Sequence, residues 1–335
     1  MATNETLIDS ERVALFALDS SRIYGERVAQ RLGIRLAEHE EREFEWGHHK
    51  SRPLQSVRGR DVYVVQSLHG DRRYSVNDKL CRLLFFLGAL RDASAGRVTA
   101  MVPFLCYSRK DRKTKPRDPV TTRYVARLFE AVGVDRLATL EVHNLAAFQN
   151  AFRCPAEHLE AHGLIAEFVV GWVGDRALVV VSPDVGGIKR ATRYRRALER
   201  RLGRAVSSAF LYKERSQDVV SGDQLVGDVN GRTVLLVDDM ISGGTTLARA
   251  AEACRRAGAR SVVAAAAHGV FVPNASRVLA NAPIDRIAVL DHIPLLELDS
   301  TLADLPLDVL DGSRLAAEAI RRMHVGESLV QLFED

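Results

Sequence analysis

Asp238 and Asp239 stand side by side after Val234-Leu235-Leu236-Val237 and before Met240-Ile241-Ser242-Gly243-Gly244-Thr245-Thr246-Leu247. Four apolar residues predict a short buried strand that the two carboxylates close. A helix is predicted from near Leu247 through Ala248, Ala251 and Cys254 toward Gly258. A strand feeding a Ser/Gly/Thr loop and a helix amino terminus suits a phosphate. Unpaired backbone N–H groups converge there, and the helix dipole favours negative charge. The aspartates repel a phosphate, so they suit ribose hydroxyls or a magnesium ion bridging to phosphate oxygens. Asp-Asp and Gly-Gly are each common in turns without function; their order after a Val/Leu run favours a binding loop.

Ligands of a parallel sheet sit beyond the carboxyl ends of its strands. The other predicted strands end at Gln66-Ser67, at Tyr107-Ser108-Arg109, at Glu141 with His143, at Ser182 with Asp184, and at Lys213 with Arg215. Carboxylates, guanidinium groups, a histidine and a lysine in such places suit phosphoryl chemistry, in which positioning and charge neutralisation dominate. Taken singly, His143 reads as an ordinary hydrogen-bonded histidine and Lys213-Glu214-Arg215 as a solvated turn.

The elements that must position these residues follow from hydrophobic period. Strands are predicted at Val13 to Leu18, Asp61 to Ser67, Val98 to Val102, Arg136 to Val142, Leu178 to Ser182, Val262 to Ala267 and Arg286 to Leu290, with a short one at Ile34 to Leu36. Helices are predicted from Tyr24 to Leu32, Ser75 to Arg91, Thr121 to Val132, after Gly187 to about Leu202, and from Ser313 to Met323. Residues 44–50 and the polar stretch from Lys213 to Gly231 read as irregular, and Tyr107 to Pro119 as a cationic loop. Alternating strands and helices indicate α/β units around mainly parallel sheets.

Gly59 to Val65 parallels Gly231 to Val237 in wording, and Val134 to Leu140 parallels Ile284 to Leu290 in the same order. The fold class is therefore α/β, with two duplicated domains at 1–160 and 161–310 and a C-terminal helix and tail at 311–335. With 335 residues, 47% apolar and 27% charged, the chain has material for two cores. A net charge of +4 and 6% aromatics argue against nucleic-acid binding. Cys81, Cys106, Cys154 and Cys254 lack metal or redox spacing. A polar amino terminus and no long apolar run predict a cytoplasmic protein without a membrane span.

Nearly end to end, the chain resembles the ribose-phosphate diphosphokinases, the phosphoribosyl-diphosphate synthetases, whose domains are type I phosphoribosyltransferase-like. The resemblance is carried by Arg58 to Ser67, Asn77-Asp78, Ala93 to Val98, Tyr107 to Arg112, Val134-Asp135-Arg136, Ser182 to Gly187, the Asp238–Thr246 loop and His292-Ile293-Pro294. It implies transfer of the β,γ-diphosphoryl group of ATP to the 1-hydroxyl of ribose 5-phosphate, with Mg2+ and release of AMP. It also implies a homo-oligomer, commonly a hexamer. By the same resemblance Asp238 and Asp239 face the ribose hydroxyls, and Ser242, Gly243, Gly244, Thr245 and Thr246 cradle the 5-phosphate. His143 and Asp184 are metal-associated, and His143, Lys213 and Arg215 catalytic. Arg109, Lys110 and Arg112 serve the nucleotide phosphates, while Phe44, Trp46 and His48 occupy the segment for the base.

Some positions depart from the family pattern. Phe44-Glu45-Trp46-Gly47-His48 stands where Phe-x-Asp-Gly-Glu is usual, which implies an altered or relaxed diphosphoryl donor. Lys110 replaces glutamine, Glu141 replaces aspartate, and Glu214 interrupts a basic run. In the phosphate loop one glycine has moved forward, so that Thr245 is strained if it must take a positive φ. Two other readings fit fewer motifs: a non-catalytic synthetase-like regulatory subunit, and a phosphoribosyltransferase.

Overall fold

Short, mostly buried strands, most of them followed by a helix, build two mainly parallel sheets. A computed structural model describes residues 8–9, 11–216, 219–295 and 300–334, with the backbone alone at 213–223, 300 and 334. The chain divides into two compact units, residues 1–160 with 312–335, and residues 161–311.

The first unit runs β1 (Val13–Ala17), α1 (Arg22–Arg31), β2 (His39–Glu43), β3 (His49–Pro53), β4 (Asp61–Val65), α2 (Val76–Asp92), β5 (Arg97–Met101), α3 (Thr121–Ala131), β6 (Arg136–Leu140), α4 (Leu145–Ala151) and β7 (Ala156–Leu159). Its sheet has the order β1-β4-β5-β6-β7, all parallel. Phe16, Val64, Leu83, Leu87 and Phe129 are fully buried in its core. Ser75 and Asp78 form a capping box that starts α2, an arrangement worth about 1 kcal/mol.

The second unit runs α5 (His162–Val173), β8 (Leu178–Ser182), α6 (Ile188–Leu202), β9 (Ser207–Ser216), β10 (Val219–Val226), β11 (Thr233–Ile241), α7 (Thr245–Arg256), β12 (Ser261–Gly269), α8 (Ala275–Ala280), β13 (Arg286–Leu290) and β14 (Leu307–Leu310). Its sheet order is β10-β9-β8-β11-β12-β13-β14, with only β10 antiparallel to its neighbour. Strands β8-β11-β12-β13-β14 repeat the order and direction of β1-β4-β5-β6-β7. The two pairs of similar wording lead into β4 and β11 and into β6 and β13, equivalent places in the two sheets. The duplication is thus visible in topology.

The long helix near the C-terminus, α9 (Ser313–Val325), belongs to the first unit. Gly312 O accepts from Tyr24 Oη at 3.1 Å, and His324 Nδ1 lies 2.8 Å from Asp61 Oδ2. Among the described residues no helix is long and apolar enough to cross a membrane.

Several expectations need correction. Residues 34–36 form no strand. Residues 44–50 are not wholly irregular: they are the turn between β2 and β3 and the first residues of β3. The polar stretch after Lys213 contains β10, which pairs antiparallel with β9. The aspartate pair does not close its strand. β11 continues through both to Ile241, because β12 runs on beside it and pairs Asp238 with Ala266 and Met240 with His268.

Candidate functional site

In the second unit the candidate binding segment is built by a long strand and a glycine turn. Residues of β11 alternate, so Asp238 is partly exposed while Asp239 is buried. Arg190, one turn into α6 and nearly buried itself, bridges them. Its Nη1 lies 3.3 Å from Asp238 Oδ1 and its Nη2 3.3 Å from Asp239 Oδ1. Asp238 Oδ1 also accepts from the Asp239 backbone N–H at 2.8 Å. Burial, followed by the neighbouring Asp239 carboxyl, pushes Asp238 up to about 7, against the pull of Arg190. The site therefore holds two carboxyls whose combined charge is balanced by one guanidinium.

The turn that follows settles the question about Thr245. Gly244 takes the positive φ, +77°, and Thr245 is already the first residue of α7, so it carries no strain. The shift of one glycine has moved the turn with it. Gly244 is also the N-cap and offers no side-chain acceptor to the first amides of α7. Those N–H groups lack intrahelical partners by construction and lie directly after Ser242 and Gly243, as an anion cradle requires. Ser242 O accepts from Val272 N at 3.4 Å, which ties the loop to the segment after β12.

Asp184 lies at the carboxyl end of β8 and accepts from Gly187 N at 3.0 Å through Oδ1. Gly187 is required there, because a Cβ on it would come within 2.5 Å of Ser182 Oγ. Lys213 and Arg215 have their backbones in β9, opposite Asp223 and Val220 of β10. Their side chains lie outside the described residues.

The first unit gathers a second set. His143 is exposed just past β6. Asn144 beside it donates from Nδ2 to Asp111 Oδ2 at 2.8 Å, which brings the loop of Arg109, Lys110 and Arg112 next to His143. All three cations are exposed. Tyr107, at φ +57°, starts that loop, and its hydroxyl donates to Asn77 Oδ1 at 2.5 Å. Glu141 is buried with φ +23°, a conformation rare for a side-chain-bearing residue, two positions before His143. Phe44 is half exposed, Trp46 is 94% exposed at φ +66°, and His48 is exposed, all at the β2–β3 turn. His143 and Asp184 belong to different units.

Among the described residues, one group of three side chains has metal-ligand proximity, Asp19, His39 and Glu41. Glu41 Oε1 already accepts from Asp19 N at 2.6 Å and lies 3.1 Å from His39 Nε2, with Arg82 3.9 Å from Oε2. This is an anchor for β2 with a cation already beside it. Arg190 was missed by sequence reasoning, as was the group around Glu43 described below.

Two mainly parallel sheets of matching strand order, one carrying a carboxylate pair in the strand that leads through a glycine turn onto a helix, make this an α/β protein of duplicated design. Residues 13–133 match the N-terminal domain of ribose phosphate pyrophosphokinase, and residues 221–334 match the phosphoribosyl synthetase-associated domain. The chain is 37% identical over 325 residues to ribose-phosphate pyrophosphokinase 1 of Streptococcus pneumoniae, covering 96% of each chain. It is 36% identical over 322 residues to the Streptococcus mutans protein of the same name, again covering 96% of each. The crystal structure of phosphoribosylpyrophosphate synthetase from Mycobacterium smegmatis superposes with a TM-score of 0.85 at 33% identity, over 94% of this chain and 99% of that one. The chain belongs to the ribose-phosphate pyrophosphokinase family, and it is an enzyme of that activity.

Proposed function

We propose that the enzyme transfers the β,γ-diphosphoryl group of ATP, or a related nucleotide, to the 1-hydroxyl of ribose 5-phosphate. The hydroxyl oxygen bonds to the β-phosphorus, the α–β bridge breaks, AMP leaves with the bonding pair, and the hydroxyl proton is lost. The observation that carries the acceptor side is the Asp238-Asp239 pair leading into the uncapped amino end of α7. On this reading Ser242 to Thr246 hold the 5-phosphate and the aspartates hold ribose hydroxyls. Arg109, Lys110 and Arg112 bind the nucleotide phosphates, Phe44, Trp46 and His48 meet the base, and Lys213, Arg215 and His143 stabilise the diphosphoryl group in transfer. A homo-oligomer, a hexamer by family likeness, and a cytoplasmic location complete the proposal.

Magnesium fits the donor set. Asp184 presents a partly exposed carboxylate at a strand end with one oxygen engaged by Gly187 N–H. A hard cation that keeps several waters needs only one or two carboxylates plus substrate phosphates. By family likeness Asp184 and His143 are the metal-associated residues; Asp184 would hold the ion from the second unit, and when bound it would neutralise charge on the transferring phosphates.

AMP release from ribose 5-phosphate, nucleotide and magnesium tests the reaction, and a panel of ATP, GTP, CTP and ADP tests the donor. Because residues 44–48 lack the usual acidic pair, donors other than ATP are expected to work within about tenfold of it in kcat/KM. Strict preference for ATP would exclude the relaxed donor.

Asp238 gives a pH prediction. Its proton is held more tightly in the folded, ligand-free protein than in the unfolded chain. Stability from this group is thus full below the ordinary aspartate value and is lost as pH rises through about 7. Ribose binding, which uses the carboxylate as acceptor, runs the other way. The Kd for ribose 5-phosphate is expected to weaken by up to about tenfold per pH unit below about 7. Calorimetric titration across that range checks it, and Asp238→Asn should flatten the profile.

A further inference from the structure

Outside the residues already assigned, one group of side chains grips the base of the β2–β3 hairpin. The last cross-strand pair before the turn is Glu43 opposite His49. Both members are held by α2 or by the loop leading into it. Glu43 Oε1 accepts from Arg82 Nη2 at 2.7 Å and from the Tyr74 hydroxyl, with Arg73 Nη2 at 3.7 Å. The guanidinium of Arg82 also lies 4.2 Å from the centre of the Tyr74 ring, and that of Arg73 4.8 Å. His49 stacks on Phe85 of α2, centroids 5.6 Å apart and planes 18° from parallel.

The loop that presents Tyr74 is itself anchored deep in the unit. Asp71 Oδ1 accepts from the backbone N–H of Arg73 at 2.8 Å and of Tyr74 at 2.7 Å. Its Oδ2 pairs with Lys79 Nζ at 2.5 Å. Lys79 is fully buried and also lies 3.2 Å from Nε2 of buried His69. Burial and then the Lys79 charge hold His69 down to about 3, so it is neutral and accepts from Lys79. A rigid path thus runs from buried Lys79 through Asp71 and Tyr74 to Glu43, one residue before Phe44.

Beyond that grip, only the five residues 44–48 project, closed by Phe44 N donating to His48 O at 2.7 Å and carrying the exposed Trp46. Five residues fixed at both ends have few conformations, so whatever sets Glu43 and His49 sets the direction of Trp46.

We propose that Tyr74, acting with Arg82 on Glu43, is a positioning residue for the nucleotide donor, and that the 69–75 loop thereby tunes donor choice through the hairpin. This rests on the reading of residues 44–48 as the base-binding segment. Tyr74 touches no substrate. It removes freedom from the turn that does.

The test compares Tyr74→Phe, which deletes one hydroxyl and keeps the ring over Arg82, with Trp46→Ala, in steady-state assays of the full-length enzyme. Nucleotide-induced quenching of Trp46 fluorescence is followed in a Trp172→Phe background. Tyr74→Phe is expected to raise the donor KM about tenfold and alter the ranking of ATP against GTP, with kcat and the ribose 5-phosphate KM within about twofold of the parent. Glu43→Gln, which keeps an acceptor for Tyr74, is expected to show a smaller rise in donor KM. If Trp46→Ala raises the donor KM and Tyr74→Phe does not, the positioning role is wrong while the base-binding reading stands. If Trp46→Ala leaves the donor KM unchanged, the base-binding reading fails and takes the proposal with it. A fall in kcat with a rise in both KM values would mark Tyr74 as merely structural and overturn the proposal.

Discussion

Arg190→Leu is expected to destabilise the protein by about 3 kcal/mol or more and to abolish measurable ribose 5-phosphate binding. The guanidinium is 7% exposed, Asp239 is 5% exposed, and Asp238 beside it is 23% exposed. Removing the cation takes away the guanidinium that the two neighbouring carboxyls share, so less offsets their mutual repulsion, and the proton affinity of Asp238 rises further. The loss should therefore be largest at and above neutral pH and shrink as pH falls through the raised Asp238 value, since protonation supplies part of the neutrality that Arg190 did. Urea denaturation of parent and variant at two pH values measures both the size and the sign. A double variant with Asp238→Asn should recover part of the loss, because the two substitutions share one interaction. Parent-like stability in Arg190→Leu at neutral pH would show that the bridge contributes little.

The second large effect belongs to Gly244. An alanine there needs φ +77°, at about 1–2 kcal/mol, and its Cβ would meet Leu279 Cγ at 2.8 Å. The turn cannot relieve both without rotating the first amides of α7, so ribose 5-phosphate affinity is expected to fall more than about tenfold along with thermal stability. Gly243 is the control. It has no positive φ, and the nearest atom to its added Cβ, on Val272, is 3.9 Å away. Gly243→Ala should fold with parent stability, and any binding loss it shows reports on room for the ligand. Calorimetric binding and melting of both variants separate the two.

What the sequence disclosed and what it hid follow physical lines. The Asp238–Thr246 loop was legible because a Val/Leu run, paired acids and glycines mark a strand, its end and a turn independently. The wrong place for the strand end has a tertiary cause. Nothing local announces that β12 extends to Gly269 and keeps β11 paired through Asp239. Helix α5 escaped because apolar residues lie nearly all round it, so no single stripe stands out. Strands β7 and β14 are four-residue edge strands too short for alternation to show. Arg190 was hidden among the basic residues of α6, yet it left a signal. It lies on the helix's buried face with Ala191, Tyr194, Ala197 and Leu198, and a charge on an apolar stripe calls for a partner. The grip on Glu43 depends on contacts between residues some 31 and 39 positions apart, which no local pattern carries.

The return of α9 to the first unit has a consequence for how the molecule is made. Met323 O accepts from Arg97 Nη2 at 3.2 Å and His324 bonds Asp61, so the first unit lacks part of its packing until α9 has been made. During synthesis the second unit emerges whole, between two parts of the first, and is free to fold while its elder neighbour still lacks a helix. Domains ordinarily fold in the order they leave the ribosome. Here the order is inverted for completion: the unit begun first is finished last.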